Sequence, residues 1–153
     1  MKHLALPALL AAVLALPAHA DEKVGDGGTA SVSGYAFDQP ELLADQRLWG
    51  IAHGVRLLTL ACAQNGYGAA AEAGIDWQER EAAQILALNL ALGRLYFQRD
   101  DVPPDAISAA LGLRTELELT AETLQPACET LAKALAQPRY DLARRREEML
   151  KNE

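Results

Sequence analysis

Between Pro40 and Asn65 the chain reads PELLADQRLWGIAHGVRLLTLACAQN. Leu48, Ile51, Ala52, Val55, Leu58, Thr59 and Cys62 recur at the three- and four-residue spacing of an α-helix. At ~100° per residue they fall within roughly 60° of one line. Asp38 supplies an N-cap acid, Pro40 a first-turn proline and Glu41 an acidic first turn, so a helix is predicted from Pro40 to Asn65, stopping at Gly66. Cys62 lies on the apolar line and is expected to face the core.

The same pattern extends outward. Gln64 to Gly74 is rich in Gly and Ala and reads as a turn plus a short, weak helix. Asp76 can then cap a second long helix, Trp77 to Arg99. Trp77, Ile85, Leu88, Leu92, Leu95 and Tyr96 form one stripe of it; Ala82, Leu86, Leu90, Gly93 and Phe97 form another on the opposite side. A helix apolar on both sides is expected to be central and surrounded, and Gly93 offers room for a close helix crossing. Glu79, Arg80 and Glu81 concentrate the charge in its first turns. After the break Asp100-Asp101-Val102-Pro103, a short helix runs from Pro104 to Leu111 and ends at Gly112. Leu117 and Leu119 alternate with acids, a short extended stretch. Thr120 caps a helix from Ala121 to Ala136, which Pro126 either kinks or enters as its true first turn. Leu124, Cys128, Leu131 and Leu135 share a face, so Cys128 also points inward. Pro138 ends that helix, and Tyr140 to Lys151 is the last. The fold class is therefore all-α: a small bundle of four to six helices with a central apolar helix and one disulfide.

The organisation expected is a signal peptide over 1–20, a flexible arm over 21–37 and one helical domain over 38–153. Lys2 and His3 precede an apolar run, Leu4 to Leu16, too short to cross a bilayer comfortably. Ala18-His19-Ala20 has the small-x-small pattern of a cleavage site. Gly25, Gly27, Gly28 and Gly34 with Ser and Thr make the arm, strapped to the core by Tyr35 and Phe37. Localisation in the periplasm, or secretion, follows. In such an oxidising compartment Cys62 and Cys128, the only two cysteines, are expected to pair. Neither has the basic neighbours or the Cys-x-x-Cys spacing of a reactive thiol.

Fourteen basic and 21 acidic side chains give a net charge of −7, one unit more negative without Lys2. A compact acidic domain is a poor ligand for phosphate backbones or anionic lipid, so neither nucleic acid nor membrane is an expected partner. Outside residues 1–20 the one histidine is His53, too few for a His-based zinc site once the cysteines are bridged. No phosphate loop, dinucleotide fingerprint or nucleophile elbow is present, and no cofactor, metal ligand or catalytic residue is assigned. A Ser–His–Asp arrangement would have to use His53 with Ser108, the one serine outside the arm, and nothing in the sequence brings them together. Arg144-Arg145-Arg146 fans over ~200° of its helix and reads as a solvated face pairing with Glu147 and Glu148.

One constellation suggests a surface. Trp49, His53, Arg56 and Leu60 fall ~100–160° from the core line of the first helix. Trp and Arg are enriched among interface anchors, so these four are the candidate partner face. The competing arrangement is a sandwiched helix, with the set as internal packing and His53 an ordinary hydrogen-bonded histidine. Trp49-x-x-x-His53-Gly54 resembles a short signature in the ligand-binding half of some TetR-type regulators, over six residues. The overall layout resembles two periplasmic groups: the HdeA-like acid-stress chaperones, small and helical with one disulfide, and the helical immunity proteins that neutralise type VI amidase effectors. The functional expectation is an exported, soluble, non-catalytic protein that covers a protein partner as an inhibitor or immunity factor. The alternatives are an acid-stress chaperone and, third, an enzyme with an acidic site.

Overall fold

The computed structural model describes residues 29–151. The expected signal peptide over 1–20, the expected cleavage after Ala20 and the first part of the expected arm lie outside the described residues. Within them the chain is all-helical, with six α-helices and no strand: α1 (Pro40–Gln64), α2 (Gly68–Arg80), α3 (Ala82–Phe97), α4 (Pro104–Ala110), α5 (Ala121–Leu135) and α6 (Leu142–Lys151), plus a 3-10 turn at Pro138–Tyr140. No helix among the described residues is long and apolar enough to cross a membrane.

Helix α1 packs against each of the other five. Leu48, Ala52, Val55, Thr59 and Cys62 are buried along its predicted line, and Leu43, Ala44, Gln46, Trp49 and His53 are buried around it. The expected central helix, Trp77–Arg99, is not what forms. It breaks at Glu81, whose backbone (φ −90°, ψ 4°) leaves helical geometry. Asp76 consequently sits inside α2 rather than capping a helix, because the alanine-rich run from Gly68 already starts the turn. The break has a physical reason. Glu81 is buried, and its carboxylate accepts the backbone N–H of Leu142, the first residue of α6, at 3.1 Å, with the Arg80 guanidinium 3.4 Å away. A carboxylate at a helix N-terminus satisfies an orphan donor and meets the positive end of the helix dipole. The second stripe of α3 is covered only toward its end: Gly93 is buried and Phe97 packs on the core, whereas Ala82 is exposed and Leu86 is 59% exposed.

Other boundaries follow the sequence with local corrections. The N-cap of α1 is Gln39, not Asp38, and makes no side-chain cap bond; Pro40 alone sets the start. Gly66 and Gly112 turn the chain at φ +83° and +69°, the left-handed region a glycine enters at no steric cost. Thr120 caps α5, donating its N–H to Thr123 Oγ1 at 3.0 Å, and Pro126 lies inside the helix rather than in its first turn. The arm from residue 29 onward is held by polar contacts more than by aromatic straps. Gln46 and Tyr96 both reach the Gly34 carbonyl (3.3 and 2.7 Å), and Ala36 donates to Gln46 Oε1 at 2.9 Å. Burial raises the Tyr96 hydroxyl pKa, a shift that its bond to Gln46 opposes. Tyr35 packs on the core, whereas Phe37 is 77% exposed.

Cys62 and Cys128 form the disulfide, joining the last turn of α1 to α5 across a sequence separation of 66. Both cysteines are buried, as their helical faces require. Gly93 does not serve a helix crossing. A Cβ there would meet the Arg99 carbonyl at 2.9 Å, so it makes room for the chain returning after α3. The close crossing is instead at Gly74, between α2 and α1. An added Cβ would lie 2.0 Å from Thr59 Oγ1, itself buried and donating to the Val55 carbonyl at 2.8 Å. Gly74→Ala is therefore expected to destabilise by about 1–3 kcal/mol despite the better helix propensity of alanine. Urea unfolding of Gly74→Ala and of Gly74→Ala/Thr59→Ala checks this: the second substitution should recover part of the loss, and an unchanged midpoint in Gly74→Ala would refute the close approach.

Candidate functional site

The four residues of the expected partner face are divided by the fold. Trp49 and His53 are internal, at 4% and 8% exposure. Their side of α1 is covered by α4, so neither can anchor a partner directly. The sandwiched arrangement holds for these two. Arg56 is half-buried and Leu60 is 53% exposed, so this end of the set remains on the surface.

What Trp49 and His53 do instead is hold α4. Trp49 donates its indole N–H to Ser108 Oγ at 3.1 Å. Ser108 Oγ is 3.0 Å from His53 Nδ1, and His53 Nε2 is 2.7 Å from the Arg114 carbonyl oxygen. A carbonyl only accepts, so Nε2 carries a proton; in the neutral ring Nδ1 then accepts from the Ser108 hydroxyl. The Pro104 carbonyl, 3.1 Å away, is the other acceptor open to that hydroxyl. The expectation that nothing brings Ser108 to His53 is thus overturned: the chain break at Asp100–Pro103 folds α4 back onto α1. The order hydroxyl, imidazole, acceptor is that of a nucleophile and its base. Here, however, the third member is a neutral carbonyl rather than a carboxylate. The serine oxygen already accepts the indole N–H, and Ser108 is buried inside a helix. The arrangement serves as a polar clamp that fastens α4 and the segment after it to α1.

Beside the clamp lies an open trough. Two adjoining cavities, about 290 and 450 Å³, share Leu57, Leu60 and Thr115 in their walls. The first reaches down to His53 and Ser108 and is rimmed by Arg56 and Asp105, which form an ion pair. The second runs on between the end of α1 and the stretch Thr115–Leu119, with Leu124 of α5 at its far wall. Leu117 and Leu119 line it and are exposed, and the expected extended stretch forms no strand. The sequence reading placed Leu60 on this surface but missed Leu57, Leu117 and Leu119. The alternation of leucine with glutamate over 116–119 was the available signal.

The other charged candidates are paired. Arg144 and Arg145 bind Glu148, holding its carboxyl below the usual range; Arg146 reaches Asp45 of α1 at 2.7 Å, and Glu147 pairs with Lys151. Among the described residues no group of three or more His, Cys, Asp or Glu side chains could hold a metal ion. No family model, curated protein or solved structure matches this chain.

Proposed function

We propose that this chain is an exported, non-catalytic binding protein that covers a protein partner in the manner of an inhibitor or immunity factor, and that the trough between α1 and Thr115–Leu119 is its contact surface. The observation that carries the reading is the grouping of exposed Leu60, Leu117 and Leu119 around one continuous trough. Exposed apolar groups that are contiguous and rimmed by polar residues mark interaction sites, whereas scattered ones do not. The Arg56–Asp105 pair at the rim offers a charged group of each sign to fix a partner's register. The paired, buried cysteines support the export part of the reading, since such bridges persist in oxidising compartments.

The test is capture of partners by the immobilised, disulfide-intact protein from an envelope extract. At pH 7 one stoichiometric partner is expected. Leu60→Asp and Leu117→Asp should each weaken it about thirtyfold, the effect of losing ~2 kcal/mol from an apolar anchor. Ile75→Asp, at an exposed apolar residue outside the trough, should leave it intact. A partner lost with Ile75→Asp and kept with Leu60→Asp would refute this surface. The acid-stress chaperone is supported by a different observation: two helices, α6 and α4, are fastened to α1 by ion pairs, Arg146–Asp45 and Arg56–Asp105, and a fold fastened by ion pairs loosens in acid. Many partners retained at pH 4 and none at pH 7 would favour that second reading.

A further inference from the structure

The outward stripe of α3 has the composition of a core and the exposure of a surface. From Ala82 to Gly93 the helix carries no charged side chain, on a chain of net charge −7. Ala82, Ala83, Leu86, Ala87 and Ala91 are exposed and Leu90 is half-buried. At ~100° per residue Ala83, Leu86, Ala87 and Leu90 lie within about 50° of one line. This stripe shares no lining residue with the trough.

We infer that a second copy of this chain covers it, the two α3 helices packing antiparallel about a two-fold axis that passes between residues 86 and 87. The sequence of the stripe is complementary to itself in that direction. Turning one copy over the other sets Leu90 opposite Ala83 and Leu86 opposite Ala87, so each large side chain meets a small one and the axes can approach to ~8–10 Å. Arg94, at the exposed end of the stripe, is already paired with Asp100 of its own chain, so it enters the contact with its charge met. A parallel pairing would instead stack Leu86 on Leu86 and Arg94 on Arg94. The acidity of the chain points to the same place. Two copies repel wherever their acids meet; the stripe itself contributes none, and the acids beside Ala87 and Ala91, Asp45 and Glu147, are paired with Arg146 and Lys151. A two-fold contact needs this match of a surface with itself; a contact with an unrelated protein does not. One helix face buries less than the ~800 Å² per partner of a standard interface, so the dissociation constant belongs in the micromolar range rather than the nanomolar.

Analytical ultracentrifugation of the disulfide-intact protein tests the inference, over concentrations from about 1 to about 500 μM. The weight-average mass is expected to rise from one chain to two. Leu86→Asp and Ala83→Arg, both at exposed positions and checked for folding by circular dichroism, should hold the protein at one chain throughout. A wild-type mass that stays at one chain overturns the dimer, and a dimer that survives both substitutions overturns the face. Single added cysteines then read the direction. Two copies of Ala87→Cys meet at the axis and should cross-link on mild oxidation. Two copies of Arg94→Cys stand about 22 Å apart at 1.5 Å per residue and should not. Equal cross-linking at both positions would overturn the antiparallel register.

Discussion

Reducing the Cys62–Cys128 bond is expected to cost about 4 kcal/mol of folding stability, a large part of the 5–15 kcal/mol by which domains of this size hold together. The reasoning starts from the loop. The bond closes a sequence separation of 66 residues, and the chain-entropy model gives a loop of that length roughly 4 kcal/mol through restriction of the unfolded ensemble. The closed loop contains α2, α3 and α4, so the bond fastens the two ends of the segment that wraps α1. Urea unfolding of the oxidised protein and of the same protein in reductant makes the comparison without changing a side chain. A paired substitution to alanine is a cleaner genetic test than serine, because both positions are buried and a serine hydroxyl there would need a new hydrogen-bond partner. A difference below about 1 kcal/mol would mean that the unfolded chain is already compact between these positions.

The periodic part of this fold was legible and the placement of its polar groups was not. The inward direction of Cys62 and Cys128 followed from helical angles alone, because each shares a line with apolar neighbours that must be buried. The helix starts at Pro40, Pro104 and Thr120 followed from local backbone chemistry. What failed depended on contacts between residues far apart in sequence. The break at Glu81 exists because α6, 61 residues later, presents an N–H that its carboxylate satisfies. Apolar residues on two sides of Trp77–Arg99 predict a surrounded helix. In the structure α1 holds that position, and one side of α3 is open around Leu86. The sequence pattern points to Gly93, in the second stripe of the long helix, for a close approach. Gly74, in a stretch that read as a weak helix, makes the approach instead, since Thr59 faces it. At the site, the angular grouping of Trp49 with His53 leaves an exposed face and internal packing both open, and the fold takes the internal arrangement for these two. Nothing local to α1 reveals that a seven-residue helix, Pro104–Ala110, covers that side.

Trp49→Ala is accordingly expected to act on folding before it acts on any partner. The indole is 4% exposed, and truncating a buried tryptophan costs about 3–5 kcal/mol. The loss falls at one joint. Ser108 Oγ keeps His53 but loses the indole N–H, and the contact between α1 and α4 loses its largest side chain. Trp49→Phe separates the two contributions. It keeps most of the apolar volume and removes the donor; with Ser108 still held by His53, no buried group is stranded, and the cost should be about 1 kcal/mol beyond the smaller ring. Leu60→Asp, on the exposed side of the same helix, should stay within about 0.5 kcal/mol of the parent. Equilibrium unfolding in urea checks all three, and a Trp49→Ala midpoint equal to that of the parent would refute the internal placement. The ordering also governs how binding is interpreted. The clamp of Trp49, His53 and Ser108 positions α4 and, through the Arg114 carbonyl, the start of the segment that walls the trough. A partner lost with Trp49→Ala therefore reports a displaced wall. A partner lost with Leu60→Asp at unchanged stability reports a contact, and only the second result locates the interface.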